Sequence, residues 1–215
     1  MDKHLNFINE KRAEKTIQNL EKNNIKGYFV QEEAEALDRI REILNKGDVV
    51  SVGGSMTLFE IGAIELLRNG DYEFLDRYAE GLEKNGPEIK EIYQKTFMAD
   101  AYLTSTNAIT EEGELYNIDG FGNRVAAMIY GPRKVIVVAG INKIVRNLEE
   151  AIHRCESIAS PANNVRLNLT NPCVKTGHCS DCTSPGRICN AYTVIKRQMK
   201  PDRMHVIIVN KELGY

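Results

Sequence analysis

The chain has 215 residues, 42% hydrophobic and 27% charged, which is enough apolar material for a buried core within a single α/β domain spanning 1–215. Its 28 Lys and Arg nearly balance 30 Asp and Glu, and a net charge of −2 gives no reason to expect nucleic acid or an anionic membrane as partner. The longest apolar run, 135–141, is far too short to span a bilayer, and the charged start MDKHLNFINEKRAEK lacks the apolar centre of a secretion signal, so a cytoplasmic protein is expected.

In chain order, helical and strand patterns alternate. Residues 2–23 carry a thin apolar stripe (Leu5, Ile8, Ile17, Leu20) and predict an amphipathic helix, followed by a strand at 25–30. Leu37, Ile40 and Leu44 predict a helix over 32–45, with Gly47 as its terminator. A strand at 48–52 runs into Gly53-Gly54-Ser55, and a helix is expected over 57–68, closed by Asn69-Gly70. Phe74-Leu75 is a weak strand signal, and Asn85-Gly86-Pro87 opens a helix whose face carries Ile89, Ile92 and Tyr93. Strands are expected at 101–106 and 114–118, then a helix at 125–130 ended by Gly131-Pro132. The β-branched run 135–139 reads as a strand buried on both faces of a parallel sheet. The clearest helix is 147–159, with Leu148, Ala151, Ile152, Cys155 and Ile158 in one stripe. After Ser160-Pro161 the stretch 161–200 reads as a polar, loop-rich appendage, and 205–209 supplies a last strand. This alternation predicts an α/β fold with a mostly parallel sheet flanked by helices.

Three constellations could carry chemistry. The first is the turn Gly53-Gly54-Ser55-Met56-Thr57 between a strand and a helix. Glycines permit close backbone approach and a helix N-terminus offers free N–H groups, which suits a phosphate or carboxylate. The alternative is a tight turn in which Ser55 only caps the helix; with no lysine after the glycines it is not a Walker loop. The second is 104–124, rich in small polar residues, glycines and carboxylates, where Asn107, Asp119, Gly120 and Asn123 are the polar candidates beyond a strand end. Lys143, following the 135–139 strand, should reach the same edge and add positive charge. If the protein is an isomerase or transferase, Glu60, Glu111 and Asp119 are the choices for a general base.

The third is Cys173-x5-Cys179-x2-Cys182-x6-Cys189. All five cysteines fall between 155 and 189, and a CxxC pair with two further thiols suits zinc or an iron–sulfur cluster, against disulfides or free loop thiols as alternatives. Cys155 lies on a helical apolar stripe and reads as core filler, and His178 as a solvated loop residue. No HExxH or GxSxG spacing supports a hydrolase.

The stretch ADAYLTSTNAITEEGELYNIDGFGNRVAAMIYGPRKVIVVAGINKIV (101–145) strongly resembles the LUD-domain family, the lactate-utilisation proteins of the LutC/YkgG type. GGSMTLFEIG (53–62) resembles the same family's first glycine loop, and the resemblance covers nearly the whole chain. It implies a fold similar to the superfamily of CoA transferases, ribose-phosphate isomerases and glucosamine-phosphate deaminases. It also implies a part in an iron–sulfur-dependent oxidation of lactate, as a subunit or accessory to oxidoreductase subunits, with a small anionic metabolite as ligand. A homo-oligomer and a non-catalytic docking module are compatible with that resemblance. The cysteine-rich end, PCVKTGHCSDCTSPGRIC, departs from the LutC-like pattern and resembles a stand-alone branch.

Overall fold

A computed structural model describes residues 2–83 and 86–215. The first helix, α1 (Lys3–Lys22), begins where Asp2 Oδ1 accepts the N–H groups of His4 and Leu5. Its buried stripe is Ala13, Thr16 and Leu20, while Leu5 and Ile8 of the expected stripe stand exposed. It leads into β1 (Lys26–Val30), α2 (Glu33–Ile43) and β2 (Val49–Val52). The helix expected over 57–68 is two helices, α3 (Met56–Glu60) and α4 (Ala63–Asn69). The break falls at Gly62, whose φ of +77° turns the chain out of the helical path.

β3 (Glu73–Leu75) follows, and then α5 (Pro87–Thr96), which has its proline in the first turn; Asn85, expected in its opening turn, lies outside the described residues. Next come β4 (Ala101–Thr104), β5 (Ala108–Thr110), β6 (Leu115–Asp119), α6 (Asn123–Ile129) and β7 (Lys134–Gly140). After β7 a single tight turn, Ile141–Lys143, enters the short β8 (Ile144–Val145) and then α7 (Leu148–Arg154). The helix does not stop at Ser160-Pro161. It widens into a π turn at Cys155–Ala159 and continues as α8 (Ser160–Arg166); Pro161 has no N–H to give back, and the Glu156 carbonyl in the π turn accepts the Cys179 N–H at 2.8 Å. The buried line there is Ala151, Cys155 and Ala159; Ile152 and Ile158 face outward. α9 (Pro172–Thr176), an irregular cysteine-bearing loop, β9 (Ala191–Ile195) and β10 (Met204–Val209) complete the order.

Six strands form an all-parallel sheet in the order β1-β10-β7-β4-β2-β3. Side chains alternate across it, as the twofold strand period requires. Leu103, Ile136, Val138 and Ile207 pack under α2, α3 and α4 with Ile40, Leu58, Ile64 and Leu67. Val135, Val137, Val206 and Ile208 face the other way, against Leu20 of α1, Met128 of α6 and Ile109 and Leu115 of a second sheet. That second sheet, β8-β5-β6-β9, is mixed: β6 runs antiparallel to β5 and β9, and β8 parallel to β5. Among the described residues, no helix is long and apolar enough to cross a membrane.

The strand order reverses at β2 and β4. From β2 the chain moves outward to β3, and from β4 it moves the opposite way to β7, so these adjacent strands diverge in their connections. In an open parallel sheet the crevice beyond the carboxyl ends at such a point is where ligands bind.

The β5–β6 turn is pressed against α1. Gly113 has φ +79°, and a Cβ there would lie 2.6 Å from the Leu20 backbone nitrogen. Gly113→Ala should therefore cost more than about 2 kcal/mol, from clash plus a left-handed backbone. Gly62→Ala, with open space around its Cβ, should cost only the backbone strain, about 1 kcal/mol. Urea unfolding of the two variants checks the order; equal losses would contradict it.

Candidate functional site

A cleft of about 390 Å³ opens at the β2/β4 reversal. The β2–α3 turn supplies Gly54, Ser55, Met56 and Thr57; the segment after β4 supplies Ser105, Thr106 and Asn107; the β6–α6 turn supplies Asp119, Gly120, Phe121 and Asn123. Lys143 enters from the turn after β7, and Arg77, Arg124 and Arg166 bring three guanidinium groups to the same lining. Phe121 stands at the wall with 89% of its surface exposed.

Lys143 is the least expected of these environments, since its side chain is only 2% exposed. Nζ donates to Thr57 Oγ1 at 3.0 Å and to Ser105 Oγ at 2.9 Å, and among the described residues no carboxylate hydrogen-bonds it. Burial lowers its pKa to about 7, and the nearby charges of Arg154 and Arg124 push the same way, with Glu60 a weaker opposing influence. Gly214 closes this corner: its N–H donates to Glu60 Oε2 at 2.6 Å, and a Cβ on it would meet Thr57 Oγ1 at 2.7 Å.

Arg124 organises the opposite wall. Its guanidinium donates to the Asn107 and Asn117 side-chain oxygens and to the Ser105 and Ile118 carbonyls, and its Nε lies 3.5 Å from Asp119 Oδ2. One planar fork thus ties the end of β4 to β6 and the turn after it. Asp119 Oδ1 accepts the Gly122 N–H at 3.0 Å, whereas its buried Oδ2 accepts no hydrogen bond.

The residues singled out from sequence divide clearly. Gly54, Ser55, Thr57, Asn107, Asp119, Gly120, Asn123 and Lys143 share the cleft lining. Gly53 stands behind it: a Cβ would meet Tyr102 Oη at 2.6 Å and Thr104 Oγ1 at 2.8 Å, so the glycine serves packing against β4, not ligand approach. Glu60 lies outside the lining, exposed and holding Gly214. Glu111 is also elsewhere, gripped by Arg12 Nε at 3.1 Å and Lys15 Nζ at 2.8 Å on α1. The anion field expected from the helix opening at Ser55 is small. α3 has five residues, and the Ser55 hydroxyl is occupied in capping the Leu58 N–H. Arg77 and Arg166 escaped the sequence reading because they come from segments with no motif of their own; Arg124 stood inside the quoted signature.

Cys173, Cys179, Cys182 and Cys189 line one small second cavity, and Cys155 is buried in the core, where desolvation pushes its thiol up to about 12. Among the described residues no group of three or more His, Cys, Asp or Glu side chains is placed to hold a metal ion. His178 is exposed on the loop.

Fold and cleft define an α/β protein whose cation-lined pocket sits at the carboxyl edge of a parallel sheet. The family model described as the LUD domain matches residues 13–209. The chain belongs to the LUD-domain family. Among solved structures it is similar to a DUF162 family protein from Deinococcus radiodurans, at TM-score 0.50 and 16% identity, covering 95% of this chain and 98% of that one, a likeness of fold. No curated protein matches it.

The folded pKa of Lys143 lies below its unfolded value of 10.5. Between about 7 and 10.5 the unfolded chain holds a proton that the folded chain has lost, so this group makes stability rise with pH across that window. Below about pH 7 the buried cation is a full burden. Lys143→Met should raise the unfolding free energy at pH 6, by on the order of 3 kcal/mol less the two lost hydrogen bonds, and with it the melting temperature, and the gain should shrink toward pH 10. Thermal unfolding across that range tests it; a gain independent of pH would contradict it.

Proposed function

We propose that this LUD-domain protein binds a small carboxylate, lactate or the corresponding 2-oxo acid, in the β2/β4 cleft. In that reading it serves as a subunit or accessory in oxidation of such an acid, alongside iron–sulfur oxidoreductase subunits. One observation carries it: a buried lysine faces the cleft with only hydroxyls for partners, among three arginines. A buried cation without a carboxylate is unfavourable unless an anion completes it. Carboxylates accept paired hydrogen bonds from guanidinium groups, and Ser105, Thr57 and Asn123 add polar partners at the same wall.

An isomerase or transferase acting on a phosphorylated or CoA-linked substrate would need a general base in the cleft. Of the three carboxylates considered, only Asp119 lines it, and one of its oxygens is committed to the Gly122 N–H. The geometry therefore favours binding of the anion over proton abstraction from it.

Titration calorimetry with lactate, pyruvate and inorganic phosphate at pH 6 to 9 tests the proposal. Because the anion favours charged Lys143, carboxylate affinity should be flat below about pH 7. Above that it should weaken, by up to about tenfold per pH unit, with proton uptake on binding. Lys143→Met should weaken binding about 10- to 100-fold and remove the pH dependence. Binding of phosphate with neither carboxylate would overturn the carboxylate reading in favour of a phosphorylated substrate; binding of none would overturn both.

A further inference from the structure

Of the guanidinium groups at the cleft, two have donors already engaged by the protein. Arg124 is tied into the second sheet, and Arg166 donates twice to the Asn163 side-chain oxygen. Arg77 differs. Its guanidinium lies over the Tyr78 and Tyr93 rings, 5.3 and 4.9 Å from their centroids, and among the described residues no acceptor bonds its N–H groups. A planar fork held by two rings, with its donors open at a cleft, is an anchor for a carboxylate.

Lys143 is placed for a different task. Its Nζ is buried at the cleft lining between Thr57 Oγ1 at 3.0 Å and Ser105 Oγ at 2.9 Å. Each hydroxyl directs its own proton at a carbonyl 3.4 Å away, Leu213 for Thr57 and Thr106 for Ser105, long contacts that either can leave. The titratable groups that face the lysine are Arg154 of α7, Arg124 of α6, Glu60 of α3 and the Cys155 thiol, and Glu60 is taken by the Gly214 N–H. Burial and the two guanidinium groups leave much of the lysine as free amine near pH 7. A desolvated amine beside other cations is a nucleophile toward carbonyl carbon.

We infer that Lys143 forms an imine with the carbonyl of a 2-oxo acid whose carboxylate is anchored at Arg77. This rests on the carboxylate reading of the cleft and adds a covalent step to it. In a 2-oxo acid the carbonyl carbon is bonded directly to the carboxylate carbon, so an acid drawn in by its charge brings the electrophile with it. The free amine adds its lone pair to C2, and the carbonyl π pair moves to oxygen. That oxygen takes a proton from the Ser105 hydroxyl, which recovers one from Nζ. The C2–O bond then breaks as the nitrogen pair forms C=N, and the leaving hydroxyl takes a proton from solvent and departs as water. The product carries its positive charge on nitrogen beside the ligand's own carboxylate, the pairing that Thr57 and Ser105 do not give Lys143. A 2-hydroxy acid has no electrophilic C2 and binds without reacting.

The experiment incubates the full chain with pyruvate and cyanoborohydride, which transfers hydride to the iminium and fixes it as a secondary amine. Expected is one adduct per chain, with the mass of pyruvate less water plus two hydrogens, mapped to Lys143 by peptide mass spectrometry; lactate should give none. Adduct formation should rise up to about pH 7 and level off, whereas exposed lysines gain reactivity up to about pH 10. Lys143→Arg, a cation that forms no imine, should lose the adduct and keep its fold by circular dichroism. Arg77→Ala should raise the pyruvate concentration needed about 10- to 100-fold and leave the adduct on Lys143. Calorimetry on the same samples separates the two readings. Pyruvate and lactate bound with no adduct at Lys143 would overturn the imine and leave the anion site standing, whereas neither acid bound would overturn both. Adduct spread over exposed lysines, or undiminished in Lys143→Arg, would also overturn the inference.

Discussion

The candidate site depends on parallel strands delivering their following loops to one edge. β2, β4 and β7 are neighbours in a sheet buried on both faces, so the turns after Val52, Thr104 and Gly140 cannot separate. The reversal of connection direction between β2 and β4 then opens space at that edge instead of filling it with a crossing chain. Ser55, Ser105 and Lys143, distant in sequence, meet there because their strands are hydrogen-bonded side by side.

The second sheet exists to hold the far wall of that space. β5 and β6 are too short to stand alone, and they are secured by packing of Ile109 and Leu115 on the main sheet and by the Arg124 fork. Arg154 adds a further tie, donating to the Asn107 and Asn142 carbonyls. Both arginines therefore do two things: they satisfy backbone and amide oxygens that burial would otherwise leave bare, and they raise the positive potential around Lys143. Lys143 and the arginines gathered near one cleft repel one another, and without a paired anion that repulsion opposes folding.

The glycines of the first turn show how function and packing separate on inspection. Gly53 and Gly54 read alike in sequence as residues that let a ligand approach. In the fold Gly53 is the contact that lets β2 lie against Tyr102 and Thr104, and Gly54 alone is open to the cleft. Likewise the short α3 contributes a cap and not a strong dipole, so the electrostatics come from side chains.

By itself the sequence determined the alternation of helices and parallel strands. Hydrophobic period is a local property, and the run Val135-Ile136-Val137-Val138-Ala139 permits no other reading. It also pointed to the shared lining by Ser55, Thr57, Asn107 and Lys143, since residues just past parallel strand ends share an edge, whereas Asp119 and Asn123 reach that edge from the end of β6 in the second sheet. Tertiary structure alone decided the rest. β8, with two residues, and β5, with three, carry no readable period and become strands only through their partners. The break at Gly62 and the run-through at Pro161 depend on what each turn packs against. Glu111 left the list of cleft candidates because two cations on α1 reach it across the second sheet. Arg77 and Arg166 joined the cleft because the loop after β3 and the end of α8, neither with a signature, lie over it. The depressed pKa of Lys143 is a matter of burial and neighbouring charge, and neither can be read from a lysine in a string of residues.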